Sequence, residues 1–65
     1  MKLYDIPKGS KLNLIDDKGE PFTAIFEHLD GMYSYCSVDG IGVVHLAGGT
    51  PLRKVGDAYE IVKDE

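Results

Sequence analysis

The sequence predicts an all-β fold: a small antiparallel barrel of about five strands, SH3-like, built around a three-stranded meander. Three observations carry that expectation. The pairs Asp30-Gly31 and Asp39-Gly40 frame the segment Met32-Tyr33-Ser34-Tyr35-Cys36-Ser37-Val38, and Asp-Gly between apolar runs is the strongest short-range hairpin signal a sequence offers. Turn-forming residues recur about every ten positions, the spacing of a sandwich or barrel. No segment sustains the 3.6-residue apolar period of an amphipathic helix.

The elements follow in order. Pro7-Lys8-Gly9-Ser10 is a turn that launches a first strand over residues 11–15. Asp16-Asp17-Lys18-Gly19-Glu20-Pro21 is rich in residues that favour turns and tolerate left-handed backbone. A second strand spans 22–29, a third 32–38 and a fourth 41–47. Gly48-Gly49-Thr50-Pro51 breaks the pattern, and the Gly56-Asp57 turn joins last strands at 52–55 and 58–62. No repeat, linker or low-complexity tract divides the chain, so residues 1–65 are expected to form one small barrel domain.

A chain of 65 residues buries only roughly 60% of its unfolded surface, which leaves stability marginal without further help. Its single cysteine, Cys36, excludes an internal disulfide, which leaves metal or self-association as the source of support, and self-association is the expected one. The net charge of −4 and the lack of any basic cluster exclude general nucleic-acid binding. No run approaches the roughly 20 apolar residues of a membrane span, and the start Met-Lys-Leu-Tyr-Asp-Ile-Pro lacks the apolar core of a signal peptide. With one free thiol, the expected compartment is the reducing cytoplasm.

If both Asp-Gly pairs close two-residue hairpins, Leu29 pairs with Met32 and Val38 with Ile41, and the rungs across three strands follow. One face then holds Ile25, Leu29, Met32, Cys36, Val38, Ile41 and Val43, the expected barrel interior, closed by Leu12, Leu14 and Ile61. The other holds Phe26, His28, Tyr33, Tyr35, Val44 and Leu46. Aromatic residues on an exposed patch mark contact surfaces, so these six are the expected partner-binding residues. The inverse arrangement, with the aromatics inside, is the competing possibility.

Other groupings are weaker. Glu27, Ser34 and His45 share one expected rung, yet a hydrolase triad needs its base between nucleophile and acid, and here Ser34 lies in the middle. The rung reads as a polar hydrogen-bonded layer, and no catalytic residue is assigned. His28, Cys36 and His45 are separated by seven and then eight residues, which matches no compact zinc pattern, so neither metal nor cofactor is expected. Cys36, with nothing cationic beside it, reads as a buried and inert thiol. Gly48, Gly49 and Thr50, with Arg53 and Lys54 following, are the one place where amides and cations are expected to gather around an anion, although the helix and lysine of a phosphate loop are missing.

The segment Phe26-Glu27-His28-Leu29-Asp30-Gly31-Met32-Tyr33-Ser34-Tyr35-Cys36, with Val44-His45-Leu46 and Thr50-Pro51-Leu52 after it, resembles small uncharacterised phage-encoded proteins. The likeness runs from Pro7 to about Val62. It implies an accessory viral protein made in a bacterial cytoplasm and acting by binding. The expected function is accordingly that of a non-enzymatic protein-binding module that inhibits or modulates a host or defence protein. The alternative is an oligomeric barrel that sequesters a small anionic metabolite or nucleotide at Gly48, Gly49, Thr50, Arg53 and Lys54.

Overall fold

Six strands lie in one mixed sheet in the computed structural model, which describes residues 1–40 and 42–62. They are β1 Lys11–Ile15, β2 Pro21–Asp30, β3 Tyr33–Val38, β4 Gly42–Val44, β5 Leu52–Val55 and β6 Ala58–Ile61, preceded by a 3-10 turn at Leu3–Asp5. The all-β class is as expected, and β1 and β5 have the expected bounds. Alternation explains β1, where Leu12 and Leu14 point inward and Lys11, Asn13 and Ile15 outward. The following turn is tied by the Asp16 carboxylate, which accepts the N–H groups of Lys18 and Glu20 at 2.9 and 2.8 Å.

The strand order is β4-β3-β2-β1-β6-β5, and it corrects the expectation of a closed antiparallel barrel in two ways. The β5–β6 hairpin joins the sheet through its second strand, so β6 runs parallel to β1, with Leu12 opposite Tyr59. The edge strands β4 and β5 are not paired with one another, and the sheet is not closed into a barrel. The backbone between them is already occupied. The Leu3 and Tyr4 N–H groups donate to the carbonyls of Thr50 and Gly48 at 2.9 and 3.0 Å, and Leu52 N–H donates to Met1 at 2.7 Å. Groups satisfied by the N-terminal segment are not free to build a β4–β5 ladder.

Register decides which side chains meet. Asp30 pairs with Tyr33, so the two-residue loop is Gly31-Met32 and not Asp30-Gly31. Gly31 has φ +65° and Met32 is not left-handed, the pattern of a type II′ turn with glycine first. This places Ser34 and not Met32 opposite Leu29, a shift of two that leaves every side chain on its expected face. A β-bulge between Phe26 and His28 then accommodates Glu27 as an extra residue, and pairing resumes as Phe26–Cys36 and Ile25–Ser37. Past Asp39 the ladder is one residue off expectation, with Val38 opposite Gly42, and Cys36 opposite Val44. Expectations placed on Ile41 itself and on residues 63–65 lie outside the described residues.

Each single-residue shift turns the strand beyond it over. Phe26 therefore enters the core at 5% exposure, and Val44 and Leu46 pack against it. Ile25 and Val43, expected inside, are turned outward by these shifts; Leu29 keeps its face but is exposed at the hairpin end, Met32 lies in the turn and Ile61 is exposed, while Cys36 and Val38 remain inside. The core comprises Leu3, Ile6, Leu12, Leu14, Ala24, Phe26, Cys36, Val38 and Leu52. Leu3 and Ile6 come from the N-terminal segment, which lies before the first expected strand. Leu12→Ala, at a fully buried position, is expected to cost about 2–5 kcal/mol in urea unfolding. Ile61→Ala, at an exposed one, should change it by only about 0.5 kcal/mol. A similar loss at both positions would contradict this division of inside from outside.

Candidate functional site

The outward face of β2, β3 and the chain just beyond β4 gathers both histidines, His28 and His45, with Tyr33 and Tyr35. His28 stands opposite Tyr35, and their rings stack with centroids 4.7 Å apart and planes 15° from parallel. The Tyr35 ring meets His45 edge-on at 4.7 Å and 89°. Asp30 and Tyr33 form the adjacent rung at the hairpin tip. Asp30, Tyr33, Tyr35 and His45 line a shallow pocket of about 390 Å³. Tyr33 is 57% exposed, Tyr35 is half-buried, and His28, Asp30 and His45 are exposed.

Ser34 holds His45 in this row. It is fully buried, and its N–H donates to the Leu46 carbonyl at 2.8 Å as an antiparallel ladder requires. The reciprocal bond is replaced by two side-chain bonds. Leu46 N–H donates to the Ser34 hydroxyl at 3.2 Å, while that hydroxyl donates to the Leu46 carbonyl at 2.9 Å. The Ser34 carbonyl, released from the ladder, lies 3.1 Å from His45 Nδ1. A carbonyl only accepts, so Nδ1 carries the proton, and in the neutral ring Nε2 is left facing outward as an acceptor.

Of the six expected contact residues, the structure brings His28, Tyr33 and Tyr35 together on this face. It sends Phe26, Val44 and Leu46 to the other side, for the reasons of register given above. His45 takes their place. The expected rung of Glu27, Ser34 and His45 is half realised: Ser34 and His45 are bonded, whereas the bulge brings Glu27 to the Ser37 hydroxyl, which donates to its carboxylate at 2.8 Å. The alternation Val44-His45-Leu46 was the signal for His45, since a strand with both neighbours in the core turns its middle residue outward.

The second expected set does not converge. The Gly48 amide donates to the Met32 carbonyl at 2.8 Å and the Thr50 amide to Ala47 at 3.0 Å, while the Thr50 hydroxyl bonds the same Ala47 carbonyl at 2.6 Å. Arg53 is paired with Glu60 at 3.5 Å, and Lys54 lies over the Tyr59 ring, 5.9 Å from its centroid. Gly49 alone brings no partner to an anion. Among the described residues no three His, Cys, Asp or Glu side chains gather in a way that would hold a metal, and no helix is long and apolar enough to cross a membrane.

Cys36 is buried beneath the same strands, with its sulfur 3.4 Å from the Ser34 hydroxyl. Burial pushes the thiol pKa up, outweighing the hydrogen bond to Ser34, and the Glu27 carboxylate adds to the rise. Comparison with known proteins gives no match: no family model, no curated protein and no solved structure matches the chain.

Two outcomes follow from this geometry. Ser34→Ala leaves Leu46 N–H without its partner and is expected to destabilise by about 1–3 kcal/mol, with displaced His45 ring resonances in NMR. Unchanged stability and spectra would refute the exchange of bonds around Ser34. For Cys36, a folded pKa above the unfolded one means that the stabilising contribution is complete below the ordinary thiol range and lost as pH climbs through the raised value. The stability difference between the wild type and Cys36→Ala should therefore shrink above about pH 9. At pH 8 the native thiol should react with a disulfide reagent far more slowly than the urea-unfolded one.

Proposed function

We propose that this chain is a non-enzymatic protein-binding module, and that His28, Tyr33, Tyr35 and His45 on the outward face of β2–β3–β4 are its contact residues. The observation behind this reading is the row of stacked and edge-on rings left uncovered on a sheet surface. Burying such rings against a partner recovers apolar area, while their hydroxyl and imidazole tips remain available for hydrogen bonds. In keeping with the small phage-encoded proteins the sequence resembles, the partner is a bacterial host or defence protein that the chain inhibits or modulates in the cytoplasm.

Self-association belongs to the same proposal. Tyr4, Leu29 and Met32 are exposed, Met32 at 81%. A Cβ placed on Gly48 would lie 3.5 Å from Leu29 and 4.0 Å from Tyr4, so these apolar groups converge beside the hairpin tip, where a second copy would cover them. We propose further that this open sheet is an SH3-like barrel left unclosed between β4 and β5, with the N-terminal segment bonded to residues 48–52 lying in place of the closing strand pair. The hydrogen bonds of Leu3, Tyr4 and Leu52 support that view.

The test is capture from bacterial lysate by the immobilised chain beside a Tyr33→Ala, Tyr35→Ala double variant of unchanged circular dichroism. Each truncation should weaken binding by about 1–2 kcal/mol or more, so the double variant is expected to lose the captured protein. Equal capture by both would refute this face, and capture by neither would refute the protein-binding reading.

A further inference from the structure

The net charge is confined to one part of the chain. From Gly19 to Leu52 there is no lysine or arginine, and this stretch holds Glu20, Glu27, Asp30 and Asp39 as well as both histidines. The other seven acidic residues are matched by seven cations elsewhere, so the entire net charge of −4 belongs to β2, β3, β4 and their connections. Neither Glu27 nor Asp30 has an ion pair with a lysine or arginine among the described residues. Lys11 lies opposite Ile25, down the strand from Asp30, and is paired with Asp57 at 3.5 Å.

Resting on the protein-binding reading above, we infer that the pocket formed by Asp30, Tyr33, Tyr35 and His45 receives an arginine side chain of a basic partner protein. The pocket offers the exposed ring of Tyr33, the rim of Tyr35 (one face of which is stacked on His28), one carboxylate and, at His45 Nε2 of the neutral ring, one acceptor. A guanidinium is the complement of that set. It is planar and weakly hydrated, stacks on an aromatic face, and presents five N–H donors with no acceptor of its own. Lysine, a compact and strongly hydrated point charge, gains less from the Tyr33 face in a shallow and wet site. The surrounding field, with no cation along the three strands, favours the encounter at longer range.

The test is an NMR titration of the full chain at pH 7.5 with N-acetyl-arginine methylamide, its uncharged citrulline isostere and the matching lysine derivative. Saturable shifts at the Tyr33, Tyr35 and His45 rings are expected in the millimolar range for arginine. Binding should be about threefold weaker for lysine, absent for citrulline, and about threefold weaker after Asp30→Asn. Citrulline or lysine binding as well as arginine, or Asp30→Asn binding unchanged, would overturn the inference. If it falls while the tyrosine double variant still loses its captured protein, the protein-binding reading stands without the arginine pocket. If arginine binds as expected and no protein is captured, the assignment to a protein partner is overturned.

Discussion

The bulge at Glu27 is the constraint on which both faces of the sheet depend. In a pleated strand, side-chain direction has a period of two, so one inserted residue reverses everything beyond it. Toward the turn, β2 exposes His28 and Asp30; away from it, the same strand buries Phe26 and Ala24. Without the bulge, either Phe26 would lie in water or His28 would lie in the core, and the latter would require a hydrogen-bond partner that an apolar interior lacks. The bulge lets a single ten-residue strand serve the core at one end and the aromatic row at the other.

Ser34 performs a related task where β3 meets the chain beyond β4. Its hydroxyl replaces one backbone group of the ladder, and its own carbonyl is turned to His45. Leu46, packed against the core, and His45 at the surface are thus both bonded to the same serine. The N-terminal segment completes the enclosure: Leu3 and Ile6 enter the core, while the backbone beside them bonds the connection between β4 and β5. For a domain this small, such recruitment of terminal residues matters, because few apolar side chains are available to offset the entropy of ordering the chain.

Much of this was legible in the sequence, and the misses have definite causes. The strands, the neighbourhood of each turn and the face shared by His28, Tyr33 and Tyr35 were readable from alternation and from the Asp-Gly pairs, while the register at both Asp-Gly turns was not. The bulge had a signature that hairpin counting overlooked: the apolar phase of β2 moves from even positions, Ala24 and Phe26, to an odd one, Leu29, across Glu27-His28. The offset after Asp39 had one too, since Val44 and Leu46 must share a face with Cys36 if His45 is to reach water. The parallel β1–β6 pair was not readable, because strand order depends on contacts between residues far apart in sequence. The Gly48-Gly49-Thr50 loop keeps few groups free for an anion, because the Gly48 and Thr50 amides bond Met32 and Ala47 while the N-terminal segment takes the Gly48 and Thr50 carbonyls.

The absence of lysine and arginine between residues 19 and 52 also decides how the protein can be handled and modified. Every primary amine lies outside β2, β3 and β4, so acylation or attachment through lysine leaves the ring-bearing face unaltered and free to meet solvent. Proteases that require a basic residue have no cleavage point within that stretch, and a limit digest would release the whole aromatic row on a single long peptide. The composition that sets the charge of this surface also makes it chemically silent toward amine reagents.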